Sequence, residues 1–292
     1  MQFKGTGVAL ITPFKENKQV DFNTLKKLVD FHIENGTDFI VVQGTTGEAA
    51  TLTEKEKQEV LETVITQNNG QLPIVHGLAG NNTVAVAKEM EAFNQAGVDG
   101  FLSASPHYNK PSQEGIFKHF ETLANHSKKP IILYNVPGRT GSNMSAETTL
   151  RLAEIENIVA VKEASGDLEQ VMQIIKNAPQ DFAVLSGEDA LTLPIIALGG
   201  HGVISVVANA FPADFSTMIT ATKEMKLEKA RDLHYQLIDI TNSFFEEGNP
   251  SGVKYGMQLL ALSGETVRLP LTSISTSLKK KMQMQMDALQ RN

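Results

Sequence analysis

Eight short, apolar, β-rich runs recur along this chain: Gly7–Phe14, Phe39–Gly44, Leu72–Ala79, Gly100–Pro106, Pro130–Pro137, Ile158–Ser165, Phe182–Asp189 and Gly202–Asn209. Their starts lie 20 to 33 residues apart. The intervening segments carry apolar residues at helical spacing, as in Leu25, Leu28, Val29, Ile33 and in Val60, Leu61, Val64, Ile65. Helix starts are marked by the capping box Thr53-x-x-Glu56 and by Ser145 and Asp167. Near-continuous apolar strands alternating with amphipathic helices require a parallel sheet covered by helices. Eight such units predict an α/β fold, a (β/α)8 TIM barrel. The rival, a Rossmann-like open sheet, lacks its G-x-G-x-x-G: Gly5-Thr6-Gly7 has no third glycine and precedes the first strand.

The barrel pattern ends near Thr222. A longer helix follows, with Leu227, Ala230, Leu233, Leu237, Ile240 and Phe244 on one face, until Gly248-Asn249-Pro250 breaks it. Two further helical stretches, Val253–Leu262 and Ser275–Leu289, complete a small C-terminal helical region. The expected division is a catalytic barrel over residues 1–224 and a helical unit over residues 225–292. Met282, Met286 and Leu289 form a packing stripe, and Lys279-Lys280-Lys281 a solvated face.

A net charge of −7 argues against nucleic-acid and membrane-surface binding. The chain has no cysteine, which removes disulfides, thiolate nucleophiles and thiolate metal sites. No basic-then-apolar leader opens the sequence, and no stretch approaches ~20 apolar residues. The expected compartment is the cytoplasm.

In a β/α barrel, chemistry belongs to the C-terminal ends of the strands. Strand two ends in Gly44-Thr45-Thr46-Gly47-Glu48, where paired hydroxyls between glycines suit a small carboxylate; the plainer reading is a capped turn. Strand four ends in Pro106-His107-Tyr108-Asn109-Lys110-Pro111, a stiff loop presenting a tyrosine or serving as an interface. Strand five ends in Tyr134-Asn135-Val136-Pro137-Gly138-Arg139-Thr140; Tyr134 shares the parity of Ile132, and Arg139 is a carboxylate clamp or a surface ion pair. Strand six ends at Lys162, in phase with Ala160 and Ile158. Alone it reads as a surface or ion-paired lysine. A buried amine, however, sheds its charge or finds a partner, and an uncharged one forms a Schiff base with a ketone. Strand seven's Ser186-Gly187-Glu188-Asp189 and strand eight's Gly202-Val203-Ile204-Ser205 offer mainly backbone groups. One amine, tyrosines, threonines and an arginine therefore meet at one rim. A metal-dependent aldolase would instead want clustered histidines and carboxylates. The seven histidines are scattered, with only His76 and His107 near the rim.

Taken together, G-T-T-G-E at 44–48, P-H-Y-N-K-P at 106–111, Y-N-V-P-G-R-T at 134–140, V-K-E-A-S at 161–165, S-G-E-D at 186–189, G-V-I-S-V at 202–206 and R-L-P-L at 268–271 resemble the dihydrodipicolinate synthase family. That family belongs to the pyruvate-dependent class I aldolases, with N-acetylneuraminate lyase. The match spans essentially the whole chain. The resemblance implies that Lys162 forms an imine with pyruvate, whose carboxylate Thr45 and Thr46 bind. Tyr134 would exchange protons with imine and enamine, relayed through Thr46 to Tyr108 of a neighbouring subunit. Arg139 would bind the carboxylate of aspartate semialdehyde, and the backbone of Gly187 and Ile204 would line the pyruvate pocket. It implies no cofactor and no metal, and self-association as a dimer or a dimer of dimers.

The chain departs from the family where lysine-inhibited members hold their effector. It has His107 in place of a tyrosine, Ala85 in place of a carboxylate, and Glu54 and Lys57 at common histidine positions, while Asn81 is retained. Lysine inhibition is expected to be weak or absent. Gly252 also replaces the second proline of the usual N-P-x-P-V-K. A non-catalytic barrel would have lost Lys162 or Tyr134. The enzymatic alternative is an aldolase for a 2-keto-3-deoxy sugar acid or N-acetylneuraminate, disfavoured by Arg139.

Overall fold

A computed structural model of the protein describes residues 3–289. Eight parallel strands form a closed barrel in chain order: β1 Gly5–Ala9, β2 Phe39–Val42, β3 Ile74–Gly77, β4 Gly100–Ala104, β5 Ile131–Asn135, β6 Ile158–Glu163, β7 Ala183–Ser186 and β8 Gly202–Ser205. β8 pairs with β1 through Gly5–Gly202 to Val8–Ser205, so no sheet edge remains open. Each expected run overshoots its strand at the C-terminal end. The residues beyond are mostly buried rim loops, which apolarity alone does not separate from strand.

Two hydrophobic shells surround the strands. Outward-facing Leu133, Val161 and Val184 pack on the helices, while Phe39, Ile132, Tyr134, Ala160, Leu185 and Ile204 fill the interior. At the bottom, Phe3 and Phe39 lie 5.7 Å apart centroid to centroid. Gly7 makes their packing possible, because a Cβ there would meet the Phe39 ring at 2.2 Å. Ile158 is a correction: it packs outward with the helices, not in phase with Ala160. The β5–β6 register slips between Ile131 and Ile132, and this bulge inverts the facing below it.

The helix starts behave as their sequences dictate. Thr53 and Glu56 form the reciprocal capping box, and Ser145 and Asp167 accept from the first-turn N–H groups of their helices. After the helix Pro212–Lys223 come Leu227–Glu246, Ser251–Leu259 and Thr276–Leu289. Met257, Met282 and Met286 share one core with the outer face of the barrel, whereas Leu227, in the first helical turn, is 46% exposed. Among the described residues no helix is long and apolar enough to cross a membrane.

Candidate active site

The layer of side chains at the C-terminal rim is small. Ala9, Ala104 and Ala164 stand where bulkier residues fill the barrel below, and a cavity of about 1120 Å³ opens above them. Thr45, Thr46, Tyr134, Arg139, Lys162 and Gly187 all line it.

Lys162 and Tyr134 are cross-strand partners on β6 and β5. Both are buried, and the Lys162 Nζ lies 4.4 Å from the Tyr134 ring centroid. Gly187 completes this corner, because a Cβ there would come within 2.6 Å of the Ala164 Cβ and 3.1 Å of the Lys162 Cγ. A glycine is therefore required for the β7 loop to close over the lysine. Ile204 lies one layer down: it is wholly buried in the interior core, and Val206 lines the cavity beyond it.

The loop after β2 is braced from three directions. Thr45–Gly47 is a single 3-10 turn with Thr46 buried and Thr45 exposed. From the segment after β1, the Thr12 hydroxyl donates to the Gly47 carbonyl at 2.7 Å. From the C-terminal region, the Asn249 amide donates to Thr46 Oγ1 at 3.0 Å. Glu48, in the left-handed region at φ 53°, is buried and ion-paired with the wholly buried Lys254. Glu48 also accepts from the Arg268 N–H at 3.0 Å. Burial lowers the Lys254 amine to about 8, against the pull of Glu48. Asn209 ties the neighbouring rim together, donating to the Ala9 carbonyl and accepting from the Ile11 N–H.

Arg139 sits exposed on the short helical turn Pro137–Thr140, immediately after β5. Opposite, β7 brings two carboxyls that its sequence hardly advertised. Burial raises the Glu188 carboxyl and the adjacent Asp189 raises it further, while the charges of Lys162 and Arg139 act in the other direction. Asp189 is raised by burial and held by the Ser205 hydroxyl and the Val206 N–H. Behind Lys162, buried Glu163 is also raised by burial, though Asn135 and Gln170 donate to it at 3.0 Å. These bonds lock the tops of β5 and β6 together. His76 lines the cavity, stacked on Phe93, and burial lowers it to about 4, so it is neutral at pH 7.

Tyr108 stands apart from this group. It is 88% exposed and its backbone is left-handed at φ 68°, as is that of Lys110 at φ 50°. Such conformations cost about 1–3 kcal/mol and persist where the surroundings enforce them. Here the Tyr108 N–H donates to the Thr140 carbonyl at 3.2 Å, on the Arg139 turn, and Asn81 makes two bonds to the His107 backbone. The loop is thus held with its tyrosine pointing into solvent.

Sequence reasoning met Asn249 and Lys254 only in the N-P-x-P-V-K-like stretch and Arg268 only as the start of R-L-P-L, and gave none of them a role; their partners lie 203 to 220 residues away.

Comparison with known proteins agrees with this geometry. The model of the dihydrodipicolinate synthetase family matches residues 2–289. The 4-hydroxy-tetrahydrodipicolinate synthase of Flavobacterium psychrophilum is 48% identical over 283 residues, 97% of each chain. That of Parabacteroides distasonis is 49% identical over 272 residues, 93% of this chain and 92% of its own. The crystal structure of dihydrodipicolinate synthase from Aquifex aeolicus superposes with a TM-score of 0.93 at 41% identity, covering 99% of this chain and 98% of that one. An alanine-lined rim with a lysine against a tyrosine, and this likeness along the whole chain, lead to one conclusion: the chain belongs to the dihydrodipicolinate synthetase family.

Proposed function

We propose that the protein condenses pyruvate with L-aspartate 4-semialdehyde to 4-hydroxy-tetrahydrodipicolinate, the first committed step towards diaminopimelate and lysine. The observation that carries this reading is the buried Lys162 against Tyr134, in one cavity with Thr46 and Arg139. The Lys162 amine attacks the pyruvate ketone and water leaves, giving an imine. Thr45 and Thr46 hold the pyruvate carboxylate, and the backbones near Gly187 and Ile204 shape its pocket. Loss of a methyl proton through Tyr134 gives the enamine, whose carbon attacks the aldehyde. The semialdehyde's own amine then adds to the imine carbon, closes the ring and releases Lys162. The imine itself stores the carbanion's electrons, so the step calls for no metal or organic cofactor.

Arg139 sits at the mouth, where a bidentate guanidinium grips the carboxylate of the incoming aldehyde. Tyr108, pointing into solvent, serves the site of a second copy as the outer end of a relay through Thr46. The working unit is then at least a dimer. The barrel, residues 1–224, carries the chemistry, and residues 225–292 brace its Gly44–Glu48 loop. We place the reaction in the cytoplasm.

Steady-state turnover, coupled to reduction of the product, tests this reading. Turnover that requires both substrates supports it. A pyruvate adduct without turnover on aspartate semialdehyde would shift the aldehyde to that of a 2-keto-3-deoxy sugar acid.

A further inference from the structure

The Thr46 hydroxyl is 98% buried by residue exposure, and its one protein partner among the described residues is Asn249. Asn249 arrives from the break between the helices Leu227–Glu246 and Ser251–Leu259, is itself 7% exposed, and lines the same cavity. Its Nδ2 donates to Thr46 Oγ1 at 3.0 Å, while its Oδ1 is buried with no partner among the described residues. The Asn249 amide is not the only tie between the C-terminal region and this loop. The fastening is already supplied by the Lys254–Glu48 pair and by the Arg268 N–H on Glu48.

A threonine hydroxyl has one proton to give and two lone pairs that accept. The Asn249 N–H occupies one lone pair. What remains is one acceptor site and one proton, the complement needed to take a hydrogen bond from one tyrosine and pass one to another. An acceptor at residue 249 would do the reverse, capturing the threonine proton and leaving the relay without a donor. We propose that Asn249 is a positioning residue for the condensation: by donating to Thr46, it commits the Thr46 proton to the tyrosine relay. This rests on the relay reading above, and it adds a residue and a direction to it.

The test uses the full-length enzyme and four variants: Asn249→Asp, Asn249→Ala, Thr46→Val, and Asn249→Asp combined with Thr46→Val. Positioned proton transfer contributes typically ~10²–10⁴-fold, so Asn249→Asp is expected to lower kcat at pH 8 by on the order of 10–100-fold. KM for pyruvate and borohydride trapping of pyruvate on Lys162 stay near wild type, because the imine forms without the outer relay. The kcat of Asn249→Asp recovers as pH falls, since a protonated carboxyl regains a donor for Thr46. Asn249→Ala loses kcat at every pH, with no such recovery. In the Thr46→Val background, Asn249→Asp has no further effect, because residues acting as one unit are not additive. Wild-type kcat in both Asn249 variants overturns the proposal. So does an additive loss in the double variant, or a change confined to thermal midpoint and pyruvate KM. A Thr46→Val enzyme with wild-type kcat removes the relay itself, and the proposal with it, whereas a slow Thr46→Val beside an unaffected Asn249→Asp removes the proposal alone.

Discussion

The Lys162 Nζ lies 4.4 Å from the centre of the Tyr134 ring, the two residues standing level on neighbouring strands. The closed barrel fixes this pairing: strand register sets the height, and parity turns both side chains inward. The amine rests over the face of the ring, so strand pairing holds the two groups in one cavity. The alanine layer supplies the room, and Gly187 closes it.

Tyr108 is expected to act in a neighbour's site. Lys162→Ala and Tyr108→Phe subunits, each nearly inactive alone, should regain turnover when co-expressed, since mixed assemblies contain sites with an intact Lys162 and a borrowed Tyr108. Absence of recovery in verified mixed oligomers would return Tyr108 to its own protomer. Because Tyr108 is 88% exposed, Tyr108→Phe should shift the stability of the single chain by no more than about 0.5 kcal/mol, measurable by denaturant unfolding.

Lys254 is wholly buried against Glu48, with a further bond to the Thr266 carbonyl and its Nζ 4.2 Å from the Phe14 ring centroid. Removing one partner of such a pair strands a charge, so Lys254→Met should cost about 3–5 kcal/mol. Lys254→Met combined with Glu48→Leu should cost less than the two single changes together. Equal, additive losses in urea titrations would show that the two side chains act independently.

The Arg268–Glu56 pair predicts a pH signature. The Arg268 hydrogen bond lowers Glu56 from 4.5 to about 2. A carboxyl depressed in the folded state contributes stability above its unfolded value and loses it as pH falls through its folded value. Glu56→Gln, which keeps the capping box, should therefore be less stable than wild type at pH 7. The gap should narrow between pH 4.5 and 2. A gap that stays constant across that range would mean the charge of Glu56 contributes nothing.

Free lysine should leave turnover almost unchanged. Lys57 is already paired with Glu54 at 2.8 Å, Asn81 is engaged by the His107 backbone, and Ala85 offers no carboxylate. Half-inhibition by sub-millimolar lysine in the coupled assay would contradict this.

The strands, the helix caps and the inward lysine were legible because each is a local pattern: apolar runs, a capping box, a charge at the end of a strand. The Ile158 facing was not, because a bulge between Ile131 and Ile132 is a property of the strand pairing and leaves no mark in the run itself. The contacts of Asn249, Lys254 and Glu48 stayed hidden for a related reason. A buried ion pair and a single amide–hydroxyl bond join segments about two hundred residues apart, and nothing local distinguishes Lys254 from a surface lysine. The carboxyls of Glu188 and Asp189 were in view, but their burial beside Lys162 emerges only once β7 stands next to β6.

Borohydride reduction in the presence of pyruvate, followed by peptide mapping, tests the central claim most directly. Among the described residues two lysines are buried, Lys162 facing the cavity and Lys254 sealed against Glu48. The reduced adduct is expected on Lys162 alone and should vanish in Lys162→Ala. An adduct on Lys254 or on a surface lysine, or trapping that survives Lys162→Ala, would contradict the account.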